Sequence, residues 1–129
     1  LEAMAWSSLP SILGEGILSR YERGLDAMIE ATLRRNSVEG LRALLDSLEA
    51  FPPPEDDAPK VVAPTLLMSS DRDPLVSVPG VSALRDRFVT AEHRVFSGCG
   101  HTIPIELPDQ WRAAVVRFLL EGPTPPSTR

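Results

Sequence analysis

Cysteine is almost absent: Cys99 is the single one in 129 residues. It can neither close an internal disulfide nor furnish a cysteine-rich zinc site, so the fold must stand on packing, as suits a reducing compartment. Lysine is as scarce, with Lys60 alone among 13 basic residues, and this arginine bias together with 13 prolines reflects coding composition more than any physical requirement. Basic residues are outnumbered by 18 acidic ones, leaving a formal charge of −5. That balance repels a phosphate backbone, and no nucleic-acid partner is expected. Long apolar runs are missing too. No window approaches the roughly 18 to 20 apolar residues that span a bilayer, so no membrane partner is expected. A charged segment followed by an apolar one, the mark of a secretory leader, is also lacking, and the simplest location is cytoplasmic. The chain starts Leu1-Glu2 instead of with methionine, which leads us to expect that something was removed from its front.

What is present is an ordinary globular composition, 43% hydrophobic and 24% charged, at the length of one domain. Leu18, Tyr21, Leu25, Met28, Ile29 and Leu33 recur at helical spacing and predict an amphipathic helix over 18–35. Asn36 and Ser37 offer an N-cap, and Glu39 sits three residues after Asn36 as in a capping box. Leu41, Leu44, Leu45, Leu48 and Phe51 then mark a second helix, 38–50. The leading stretch from Leu1 to Gly16 permits a short helix without compelling one. Residues 52–60, rich in proline and acid, cannot continue a helix and read as a solvated linker.

Beyond the linker, Thr65-Leu66-Leu67-Met68 is a short apolar run closed by Ser69-Ser70-Asp71, the pattern of a strand buried on both faces. Val78 to Phe88 predicts a helix and Glu92 to Phe96 a second strand. Pro108 suits the first position of a last helix, with Trp111, Val115, Phe118 and Leu119 facing inward and Gly122 stopping it. Residues 122–129 read as a disordered tail. The order strand, helix, strand, helix favours a parallel sheet in an α/β fold. Two strands are too few for such a sheet, and residues 1–50 supply no more, so the expected completion is another polypeptide or a homo-oligomer joined through the sheet edge.

In open parallel sheets catalytic groups gather beyond the carboxyl ends of strands. After the first strand stand Asp71, Arg72 and Asp73-Pro74-Leu75-Val76; after the second, Ser97-Gly98-Cys99-Gly100-His101. Pro64-Thr65-Leu66, then Asp73, then Cys99-Gly100-His101, then Glu106-Leu107-Pro108 resemble, in order, the C-terminal portion of the alpha/beta-hydrolase family. The resemblance covers roughly residues 61–120, with Asp73 and His101 separated by 28 positions, a spacing of the size that family uses. Ser70 stands where the family most often has glycine. Residues 1–51 are compatible with the end of the helical cap that many members insert, and 61–121 with the C-terminal part of the core.

The resemblance implies a Ser-His-Asp mechanism in which His101 is the general base and Asp73 fixes its tautomer. It also implies a nucleophile on a G-x-S-x-G elbow, and this sequence contains no such elbow, nor its Cys or Asp counterpart. The implied enzyme therefore needs an N-terminal half to supply the nucleophile, and the chain alone is expected to be inactive. Its substrate would be a small acyl compound: an ester, thioester or lactone. Enzymes with an Asp nucleophile share the same C-terminal pattern, which leaves the bond cleaved open. Asp71 is an alternative acid two positions early. His93 lies on a predicted strand and reads as a structural histidine, Cys99 as a small packing residue, and Asp56-Asp57 as linker charge instead of a metal site. No cofactor or metal is expected. The competing reading is a non-catalytic binding or assembly module that kept the half-fold.

Overall fold

The computed structural model describes residues 1–52 and 56–124. Two strands, β1 (Thr65–Ser70) and β2 (Ala91–Phe96), pair in parallel with Thr65 opposite Ala91 and Ser70 opposite Phe96. Parallel strands cannot be joined by a tight turn, and the crossover is the helix α5 (Val78–Arg85), capped by the Ser77 hydroxyl accepting from the Gly80 amide. Beyond β2 come a single-turn helix, α6 (Ile103–Glu106), and the long α7 (Pro108–Glu121). Pro108 opens α7 at its first turn and Gly122, at φ 78°, ends it, as the sequence predicts.

The core of this half gathers Phe96, Cys99, Ile103 and Ala114, with Met68, Leu107 and Trp111 against them. Ala114 is fully buried, whereas Leu119, expected on the inner face of α7, is 74% exposed. The stripe Trp111–Ala114–Val115–Phe118 carries that face, and Leu119 lies one step round the helix from it.

β1 runs two residues further than its apolar segment, and the two serines that close that segment have partners. Ser69 Oγ lies 2.7 Å from His93 Nε2, and Ser70 Oγ donates to the Gly100 carbonyl at 2.6 Å. Both serines are only 2% exposed. Thr65 to Met68 are half-buried, not covered on both faces as expected, since the described residues form a sheet of two strands. α5 stops at Arg85, short of Phe88: tight turns through Arg87 and Phe88 lead into β2, and Arg85 Nε bonds the Ala91 carbonyl at 3.3 Å.

The first fifty residues carry four helices: α1 (Glu2–Ile12), α2 (Glu15–Arg20), α3 (Leu25–Arg35) and α4 (Val38–Glu49). The helix predicted over 18–35 is broken by a 3-10 turn at Glu22–Gly24. The break turns α3 back so that Ile29 is buried with Leu9, Leu13 and Ile17. Ser37 caps α4 by accepting from the Gly40 amide at 3.0 Å; glycine at that position leaves no side chain to complete the expected box. The apolar stripe of α4 is not covered by described residues, with Leu44, Leu45, Leu48 and Phe51 all more than half exposed.

In the linker, Ala58 is buried and Lys60 pairs with Asp57, while residues 53–55 lie outside the described set. The tail expected from residue 122 begins in order. Thr124 N donates to Glu92 Oε2 at 2.8 Å, and Arg117 pairs with the same carboxylate; residues 125–129 lie outside the described set. Among the described residues no helix is long and apolar enough to cross a membrane.

Candidate active site

Both loops that leave the carboxyl ends of β1 and β2 turn toward each other, as parallel pairing of adjacent strands demands. Asp71 N donates to the Phe96 carbonyl at 3.0 Å, and Asp71 Oδ1 accepts from the Gly98 amide at 2.7 Å, stitching the two loops at their roots. Gly98 has φ 80°, a conformation that residues with a Cβ rarely adopt, and it swings the chain into Cys99-Gly100-His101.

Across this junction His101 Nδ1 meets Asp73 Oδ2 at 2.9 Å. The second carboxylate oxygen of Asp73 accepts from the amides of Leu75 at 2.8 Å and Val76 at 3.1 Å. Asp73 is thus held from both sides, with its side chain 7% exposed, while His101 keeps 38% exposure. Burial works to raise the Asp73 pKa, but the hydrogen bonds from His101, Leu75 and Val76, with the charge of His101, outweigh it and hold the carboxyl below its ordinary range. An ionised Asp73 accepting from Nδ1–H leaves Nε2 as the ring's free basic nitrogen. Among the described residues Nε2 has no hydrogen-bond partner.

Glu106 braces the histidine loop. Its Oε2 accepts from the Gly100 amide at 2.9 Å and its Oε1 from the Thr102 amide at 3.3 Å, so one carboxylate grips the backbone on both sides of His101. The Thr102 hydroxyl stands between Glu106 Oε1 at 3.3 Å and the Ile12 carbonyl at 3.2 Å, where it can donate to either. The brace therefore extends to the end of α1. The sequence marks Glu106 only as part of a motif; an acid a few residues after the histidine, ahead of a helix-starting proline, was the signal available for its role.

The other candidates fall elsewhere. Asp71 bonds Gly98 and not His101, so it serves the loop junction. His93 lies on β2 beside Ser69, and burial, with the charge of Arg85, lowers its pKa. Cys99 is 1% exposed, and burial pushes its thiol up, against any thiolate nucleophile. Asp57 is engaged with Lys60. Among the described residues no group of three or more metal-binding side chains occurs.

The model of the TAP-like protein family, a group of alpha/beta-hydrolases, matches residues 45–129, two-thirds of the sequence and all of the part that carries this geometry. The chain belongs to that family. Solved alpha/beta-hydrolase structures share its fold. The enol-lactonase from Burkholderia xenovorans superposes with a TM-score of 0.81 at 24% identity, over 94% of this chain and 45% of its own. A thermophilic esterase from Thermogutta terrifontis, solved with malate bound, gives 0.77 at 20% identity, over 94% of this chain and 44% of its own. An alpha/beta hydrolase from a Medee basin deep-sea metagenome library gives 0.72 at 18%, over 98% and 50%. The chain thus spans about half the length of these hydrolases. No curated protein matches it.

Proposed function

We propose that this chain is the cap and acid/base half of a hydrolase that cleaves an ester, thioester or lactone by a Ser-His-Asp mechanism. The observation that carries the reading is the 2.9 Å bond from His101 Nδ1 to a carboxylate that two backbone amides also hold. His101 Nε2 takes the proton of a serine hydroxyl as that oxygen attacks the acyl carbonyl, then delivers it to the leaving group. Asp73 keeps the ring in the required tautomer and offsets the imidazolium charge; it is not itself protonated. Water, deprotonated by the same nitrogen, releases the acyl group and restores the serine.

The serine is not in this sequence as an elbow, and we assign it, with the oxyanion donors, to an N-terminal half that pairs along the sheet. An enol-lactonase and an esterase among the structural neighbours support acyl chemistry of this kind. The test is an esterase assay on p-nitrophenyl acetate with the chain alone and with the hydrolase that contains it. The chain alone should do no better than free imidazole. In the hydrolase, His101→Ala should abolish turnover and Asp73→Asn should lower kcat by a factor on the order of 10⁴. Full activity in either variant overturns the assignment.

A further inference from the structure

The residues on either side of His101 both meet the first helices. On one side the Thr102 hydroxyl stands 3.2 Å from the Ile12 carbonyl. That oxygen belongs to the last turn of α1, where carbonyls have no partner within the helix, and a hydroxyl from outside can satisfy it. On the other side Gly100 lies against Gly14: a Cβ on Gly100 would fall 3.1 Å from the Gly14 nitrogen and 3.3 Å from its Cα. Two backbones approach this closely because neither residue carries a side chain.

The turn from Ile12 to Gly14 is itself fixed. Leu13, between them, is 5% exposed and packs with Leu9, Ile17 and Ile29. Gly14 opens α2, its carbonyl accepting from the Ile17 amide at 3.0 Å and the Leu18 amide at 3.2 Å. Glu106 then holds the amides of the same two residues, Gly100 and Thr102, so the backbone around His101 is gripped between its carboxylate and the turn. The His101 ring makes one hydrogen bond to a described residue, Asp73, and its aim follows the backbone that its neighbours set.

We infer that Gly100 and Thr102 are positioning residues, through which the turn at 12–14 holds His101 in register with Asp73. The inference rests on the hydrolase reading for the use made of His101 and adds the part of the chain that aligns it. The turn contributes a carbonyl oxygen and a glycine backbone, so no chemistry-bearing side chain marks it in the sequence.

The test is NMR of the ring nitrogens in the 129-residue chain, whose two histidines make His93 an internal reference for His101. The rate at which the His101 Nδ1 proton exchanges with water reports the bond to Asp73. Thr102→Val removes the hydroxyl at nearly constant shape, and Thr102→Ser keeps it. Gly100→Ala presses the loop off Gly14; Gly100 has no positive φ, so alanine tests space alone. The valine and alanine variants should speed exchange about threefold to tenfold, as loss of one hydrogen bond implies, while serine restores the native rate and the His93 signals stay where they are. Unchanged exchange in Thr102→Val, a serine variant no better than valine, or an equal change at His93 overturns the inference. Should Gly100→Ala fail to fold by circular dichroism, the two Thr102 variants decide. A bonded Nδ1 proton indifferent to Thr102 overturns this inference alone, whereas a native chain with no bonded proton on His101 overturns the hydrolase reading and the inference with it.

Discussion

Gly14 and Glu106 stand so close that a Cβ on Gly14 would lie 2.2 Å from Glu106 Oε2. The glycine has φ −65°, so its backbone would accept any residue, and the constraint is one of space alone. A carboxylate end ordinarily swings aside, but this one is pinned by the Gly100 and Thr102 amides. Gly14→Ala should therefore destabilise the chain by about 1–3 kcal/mol through strain and lost charge-assisted hydrogen bonds. On a Glu106→Ala background the same change should cost far less. Denaturant melts of the four proteins give the coupling; additive effects would show that the brace does not join cap to loop.

Asp73 sets an acid limit. Its folded pKa is below its unfolded one, so its contribution is complete above the ordinary carboxylate pKa, near pH 4, and is lost as pH falls through the folded value. Glu92, which burial would raise but which Thr124 and Arg117 hold low, behaves in the same sense. Stability measured from pH 6 to pH 2 should fall, and Asp73→Asn should flatten that fall. An unchanged pH profile in the variant would show that the carboxylate is not held by the bonds described.

His93 acts at a higher pH. Burial, aided by Arg85, lowers its pKa, so the neutral ring contributes stability above its ordinary value near 6.5 that disappears as pH drops through the folded value. NMR titration should find His93 protonating below its ordinary value near 6.5, and Ser69→Ala should weaken the structure while leaving the Asp73–His101 bond intact. Protonation of His93 at or above pH 6.5 would contradict this.

Burial divides two sets of apolar residues that look alike in sequence. Ile29 is 5% exposed and Leu48 is 61% exposed, although both lie on helical stripes. Ile29→Ala should cost about 2–5 kcal/mol, and Leu48→Ala should stay within about 0.5 kcal/mol. Comparable losses at both would mean that α4 is packed in solution against something.

The comparison shows which signals were local. Asp73 and His101 stand out in the sequence through the alpha/beta-hydrolase resemblance, each in a loop after a strand, and parallel pairing sets those loops side by side. The 2.9 Å contact between His101 Nδ1 and Asp73 Oδ2 itself follows from the loops' shape. Ser69 and Ser70 read as the end of the strand because they interrupt its apolar run; their partners in the strand, His93 and Gly100, lie 24 and 30 positions away. The break at Glu22–Gly24 is decided by where Ile29 finds its core, not by local propensity. Leu119 failed for a smaller reason, since Ala114 lets the helix approach more closely along a neighbouring line. Glu106 was visible as a letter in a motif, yet its grip on the backbone around His101 required the fold.

The central claim is that His101 serves a serine on another segment. A fluorophosphonate label applied to the protein as isolated, followed by native and denaturing mass measurement, tests it most directly. The account predicts a labelled polypeptide or segment held to this chain, with labelling lost in His101→Ala. A lone unlabelled species of 14.1 kDa would contradict it and favour a module that kept the half-fold without its chemistry.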